Sequence, residues 1–119
     1  MTPPHLEENC LFCKIIQKQI TANIVYEDDR ALAFEDISPQ APVHLLIIPK
    51  THIARLADIR PGDAETLAHL FTIVCRLAEE KGILEGFRTV INSGQEAGQT
   101  VFHIHIHVMG GRPFRWPPG

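Results

Sequence analysis

The sequence predicts a single mixed domain of strands and helices, and three observations carry that prediction. Five short runs, at residues 23–27, 31–36, 43–49, 87–92 and 101–109, are apolar or alternating and read as strands. One long stretch, 61–81, repeats its apolar residues at helical spacing, as a helix covering a sheet does. The whole chain has 119 residues, which suits one compact domain, 1–119, with no repeat and no second domain.

In order, residues 1–9 carry Pro3, Pro4 and polar or acidic side chains and are expected to fray. Residues 10–19 read as a short helix capped by Asn9, with Leu11, Phe12, Ile15 and Ile16 on its apolar side. Cys10 and Cys13 stand at C-x2-C spacing there. They are either two small residues packed at a helix start or half of a zinc site, and one pair alone does not decide. Residues 23–27 and 31–36 flank the polar turn Asp28-Asp29-Arg30 as a hairpin. Pro39 and Pro42 then fix the loop after Asp36. A carboxylate at such a strand end can accept both hydroxyls of a ribose, although on its own the segment reads first as turn chemistry.

Residues 43–49 form an apolar strand ended by Pro49, with His44 at its start and His52 in the following loop. Taken singly, each histidine reads as structural. In the long helix Ala64, Leu67, Leu70, Phe71, Val74, Leu77 and Ala78 make the apolar stripe. Pro61 suits its first turn and Gly82 the position after its end. Cys75 beside the stripe reads as an inert core or boundary thiol, and His69 on the polar side has no assigned role. Residues 93–100 form a polar, glycine-bearing loop that lets backbone N–H groups approach an anion, or serves only as a connection. The tail, 110–119, holds three prolines and no regular structure, and its Trp116 wants a surface to bury against.

The stretch 101–112 organises the rest. If it is a strand, Phe102, Ile104, Ile106 and Val108 share one face and His103, His105 and His107 the other. Histidine neighbours then lie about 6.6 Å apart, which spans a phosphoryl group. Three readings are open: a solvated strand, a three-histidine metal site, and nucleophilic and acid/base chemistry. The net charge of −3 advertises no broad basic surface for nucleic acid. There is no run of about 18 apolar residues and no apolar leader, so neither a membrane nor secretion is indicated. Three cysteines, an odd number, argue against a disulfide framework, and a cytoplasmic setting follows by default.

The run from His103 to Met109 resembles the histidine triad (HIT) family of nucleotide hydrolases and transferases, whose motif is His-φ-His-φ-His-φ-φ with φ apolar. Four other segments agree with it: Asp36 through Pro42 to His44, Ile47-Ile48-Pro49-Lys50-x-His52, Asn92-x-Gly94, and Ala97 to Val101. The likeness covers residues 10–119. The ending Arg112-Pro113-Phe114-Arg115-Trp116-Pro117-Pro118-Gly119 looks like the HINT branch, the purine nucleoside phosphoramidases.

The resemblance implies an α+β fold, with an antiparallel sheet of about five strands, one long helix and one short N-terminal helix. The sheet would extend across a symmetric homodimer. It implies His105 as nucleophile at the α-phosphorus of an adenylyl or guanylyl conjugate, His107 on the phosphate, His44 orienting the group, and His103 completing the triad. Asp36 would bind the ribose. Leu11, Phe12, Ile15, Ile20 and Ile37 would line the purine slot, and Asn92, Gly98, Gln99 and Thr100 would hold the phosphate. Cys10, Cys13, His52 and His103 occupy the four places where some bacterial-type members hold a structural zinc, and catalysis itself would need no metal. The implied reaction is hydrolysis of the P–N bond of purine nucleoside 5′-phosphoramidates. The alternatives are cleavage of dinucleoside polyphosphates and a nucleotide-binding regulatory role. Thr100, a serine in many eukaryotic relatives, and Pro113-Phe114-Arg115 depart from the branch and bear on the leaving group.

Overall fold

A computed structural model describes residues 6–119. Five strands form one antiparallel sheet: β1 (Ile24–Glu27), β2 (Ala31–Glu35), β3 (Val43–Pro49), β4 (Phe87–Val90) and β5 (Ile106–Gly110). Their order across the sheet is β1-β2-β3-β5-β4. Helix α1 (Leu11–Ile16) covers one face and helix α2 (Ala64–Glu80) the other. The α+β class and the five-stranded sheet are as the sequence implied.

Alternation sorts the central strands between two cores. Ala31, Ala33, Leu45, Ile47, Ile106 and Val108 pack under Leu70, Ile73, Val74 and Leu77 of α2. Leu32, Phe34, Leu46 and Ile48 pack under Phe12 and Ile15 of α1. A strand covered on both faces needs apolar residues at every position, which is why β2 and β3 read as unbroken apolar runs. Each large aliphatic side chain so buried contributes about 1.5–3 kcal/mol.

Several expectations need correction. The triad strand does not run from residue 101; its ladder begins at Ile106. Before it, the Ile104 N–H bonds the Ile53 carbonyl at 2.6 Å, so the backbone leaves the sheet and Phe102, expected in the core, is 43% exposed. Helix α1 is shorter than expected, and Cys10 caps it instead of Asn9: its sulfur accepts the Cys13 N–H at 3.4 Å. Lys18, at φ +62, then turns the chain away. In α2 the buried set is Leu70, Ile73, Val74, Leu77 and Ala78, a clean i, i+3, i+4 pattern. Ala64, Phe71 and Cys75 fall outside it and are exposed, so Cys75 is no core thiol.

His69 has a partner after all: it meets the Asp28 carboxylate at 2.6 Å, tying α2 to the β1–β2 turn. The expected fraying of residues 1–9 lies partly outside the described residues. Within them, the Glu7 carbonyl accepts the Cys10 N–H and the Glu7 N–H donates to the Cys13 sulfur. Trp116 is 84% exposed, so the described residues offer no surface for it.

Candidate functional site

The α1 face of the sheet holds a cavity of about 390 Å³. Leu11, Phe12, Ile15, Ile20 and Ile37 line it, together with Phe34 and Leu46. Asp36 borders it from the end of β2. Asn92, Gly98, Thr100, His105 and His107 make its polar side. Ile37 is fully exposed at the rim, and Leu11 and Ile20 are more than a third exposed. Apolar side chains held out around a cavity with converging polar groups form the usual frame of a small-molecule site. Gly98 sits in the left-handed region at φ +95, which turns the loop beside Asn92.

The histidines here have their tautomers set by backbone partners. The His103 carbonyl lies 2.7 Å from His105 Nδ1, so Nδ1 carries the proton and donates. His105 Nε2 is then a lone pair, and His105 lines the cavity. Burial pushes its pKa below the ordinary value, which keeps the ring neutral. The ring of Phe12 stands edge-on to it at 5.1 Å and limits its rotation.

The second chain of bonds runs the other way. The Gln40 backbone N–H donates to His44 Nδ1 at 2.9 Å, so neutral His44 carries its proton on Nε2. That nitrogen lies 2.9 Å from His107 Nδ1, which must accept. His107 is left with an Nε2–H donor. Burial is the main cause of low pKa values at both rings, reaching about 4 for His107. The Asp36 carboxylate sits 3.4 Å from His44 Nε2 and 3.9 Å from His107 Nδ1, while its other oxygen accepts the Ser38 N–H. The polar side of the cavity therefore has one nucleophilic nitrogen, from His105, beside one N–H donor, from His107.

His103 does not share this face. It is fully buried, and its Nε2–H donates to the Pro49 carbonyl at 2.9 Å, leaving Nδ1 as a lone pair. Nδ1 lies 3.4 Å from the Cys10 sulfur and 3.5 Å from that of Cys13, which is itself 3.5 Å from His52 Nδ1. The four donor atoms lie within 4.8 Å of one another. A tetrahedral zinc ion, with Zn–S of about 2.3 Å and Zn–N of about 2.0–2.1 Å, sets its sulfur and nitrogen ligands about 3.6 Å apart. The donor set fits. The Glu7 and Cys13 N–H groups and the Pro49 carbonyl already supply outer hydrogen bonds that orient sulfur and imidazole. Burial, the largest cause, holds the Cys13 thiol up at about 11, so a nearby cation is what would make it a thiolate.

Gln99, expected on the phosphate, is placed elsewhere. Its amide donates to the Ala54 and Val101 carbonyls and accepts from the Gly94 N–H, which makes it the buried brace of the 93–100 loop. His44 stands behind His107 and not on the cavity. Sequence reasoning missed Asn23, which bonds Glu35 at 2.6 Å on the cavity wall. It also missed the backbone groups of Gln40 and Pro49, and a backbone role leaves no side-chain signal to find.

Comparison with known proteins agrees with this geometry. The HIT domain family profile matches residues 17–114. An HIT-like protein of Synechocystis is 53% identical over 114 residues, which cover 96% of this chain and all of that one. An HIT family hydrolase from Legionella pneumophila superposes with a TM-score of 0.92 at 53% identity, over 93% of this chain and all of that one. A histidine triad nucleotide-binding protein from Candida albicans gives 0.79 at 32% identity, over 92% and 83% of the two chains. With motif, fold and sequence in agreement over nearly its whole length, the chain belongs to the HIT domain family.

Proposed function

We propose that the protein is a hydrolase of purine nucleoside 5′-phosphoramidates of the HINT type, working through a nucleotidyl-histidine intermediate. The observation that carries this reading is the pair of tautomers at the cavity: a lone pair on His105 Nε2 beside an N–H on His107 Nε2. The names of the Legionella and Candida relatives, a hydrolase and a nucleotide-binding protein, support it.

In this reading the purine lies among Leu11, Phe12, Ile15, Ile20 and Ile37, Asp36 accepts the ribose hydroxyls, and Asn92, Gly98 and Thr100 hold the phosphate. His105 Nε2 attacks phosphorus. The P–N bond breaks, its electron pair stays on nitrogen, and the departing amine takes a proton from solvent. His105 keeps its Nδ1–H on the His103 carbonyl, which steadies the cationic imidazole while the phosphorus is attached. The His107 N–H faces the charge that develops on the phosphate oxygens. Water then attacks phosphorus, loses its proton to solvent, and releases the nucleoside monophosphate and neutral His105.

Cys10, Cys13, His52 and His103 would hold a structural zinc, which supplies a closed cross-link between the N-terminal segment and the sheet and no reactive position. A homodimer would give the exposed Trp116 the surface it lacks among the described residues of one chain. Hydrolysis of an adenosine phosphoramidate against a diadenosine polyphosphate, each with wild type and His105→Ala, tests the assignment. Near-normal turnover by His105→Ala would sink it, and a strong preference for the polyphosphate would move the protein to the alternative class.

A further inference from the structure

Cys10 and Cys13 differ in their access to solvent. Cys13 is fully buried, whereas Cys10 is only partly buried and lines an open groove with Asn9, Thr100 and Phe102. Their sulfurs lie within 4.8 Å of each other, and neither is in a disulfide. The two residues between them, Leu11 and Phe12, are both walls of the nucleotide cavity. Phe12 also stands edge-on to His103 at 6.0 Å and to His105 at 5.1 Å. One tight turn, closed by the Cys13 N–H on the Cys10 sulfur, therefore carries two thiols and, between them, two walls of the cavity.

Resting on the nucleotide reading of that cavity, we propose that Cys10 and Cys13 are a reversible thiol–disulfide couple that loosens the nucleotide site when a peroxide oxidises it. Cys10 meets the oxidant first, because it lines the groove and Cys13 does not. Its sulfur attacks one oxygen of hydrogen peroxide, the O–O bond breaks, and hydroxide leaves, giving a sulfenic acid. The Cys13 sulfur then attacks the Cys10 sulfur and expels a second hydroxide. Each hydroxide takes up one thiol proton and becomes water. The two thiols have lost two electrons, and one hydrogen peroxide has become two waters. A disulfide holds its sulfurs about 2.05 Å apart, so closing it draws residues 10 and 13 together and shifts Leu11 and Phe12 at the cavity wall. It also consumes both sulfur ligands proposed for zinc. The hydrogen bonds of His105 and His107 involve neither sulfur, so the change falls on the fit of the nucleotide.

The test uses the full chain carrying Cys75→Ser, which removes the exposed third thiol, purified under reducing conditions. Hydrogen peroxide is added, the sulfur linkages are mapped by mass spectrometry, and the Kd for AMP is measured by calorimetry before and after dithiothreitol. The expected result is a Cys10–Cys13 disulfide and an AMP Kd about three- to tenfold higher, the scale of one aromatic contact, both reversed by the reductant. Chelation under reducing conditions removes zinc without forming the bond and should raise the Kd less. Adding Cys13→Ser leaves Cys10 without a partner, so the Kd of that variant should show no reversible response to peroxide. Should it fold poorly, the mapping and the Kd of the Cys75→Ser protein still decide. Oxidation of Cys10 to a sulfinic acid with no disulfide overturns the couple. A disulfide that leaves the Kd unchanged overturns its link to the cavity, as does a rise that dithiothreitol does not reverse. An equal rise on chelation does the same, because it assigns the effect to the metal and not to the turn. Reduced protein that fails to bind AMP removes the nucleotide reading itself, while the mapping still decides whether the couple exists.

Discussion

Two histidine clusters lie back to back in this fold, and residues 103–107 contribute to both. In the rear cluster the ring of His103 turns Nδ1 toward two sulfurs, closed off from solvent. In the front cluster His105 keeps its Nδ1–H on a carbonyl and leaves Nε2 to the cavity. The rings are chemically identical. What separates the two is which nitrogen the backbone occupies: the Pro49 carbonyl takes the proton on Nε2 of His103, and the His103 carbonyl takes the proton on Nδ1 of His105.

The comparison breaks most sharply at His105. His105→Ala should lower turnover of a phosphoramidate about 10³-fold or more while nucleotide binding persists, measured by steady-state kinetics and calorimetry. Cys13→Ser should leave the front cluster's bonds in place yet bring the zinc content proposed for the rear cluster, one per chain, to well below that by elemental analysis. It should also lower the Tm by at least about 5 °C with the fold retained by circular dichroism. Immediate and complete loss of activity on chelation, with the fold intact, would mean that the two clusters are not separate in role. His44→Ala frees the His107 tautomer and should cost about 10–100-fold in kcat with little change in nucleotide affinity, as loss of an orienting partner does.

The smallest effect is that of acid. Burial lowers the pKa of His44, His105 and His107 from the ordinary 6.5, to about 4 for His107. The unfolded chain therefore binds protons first. Stability declines as pH falls from about 6.5 toward about 4 and is flat above 6.5 with respect to these groups. Activity should fall on the same side, holding at neutral pH and fading on the acid limb. A pH–rate profile with an acid limb above 6.5 would contradict neutral histidines at the site.

The strands and the long helix are legible in the sequence because two-faced burial and helical spacing are local patterns in β2, β3 and α2. The triad is legible as a motif but not as geometry. Alternation from residue 101 suggests one continuous strand, and the bond from Ile104 to Ile53 that ends it involves residues 51 positions apart. The same departure explains why alternation alone puts Phe102 in the core and His103 beside His105. Cys75 and Phe71 mislead because an apolar residue one position off a stripe, about 100° around the helix, still reads as part of it. Gln99 misleads for another reason: a polar residue in a glycine loop reads the same whether it binds a ligand or braces the loop.

The strand order also has a kinetic consequence. β1, β2 and β3 are sequential neighbours, but β5, the last strand made, inserts between β3 and β4 and pairs Val43 with Gly110 and Ile47 with Ile106. Until the C-terminal residues are available, β3 presents an unpaired apolar edge and α2 has only part of its sheet to cover. Closure of the sheet's centre therefore waits for the end of the chain. Long-range pairing of this kind makes folding slow and leaves an edge open to misassociation during synthesis. His105, one residue before β5, takes its place only when that closure is made.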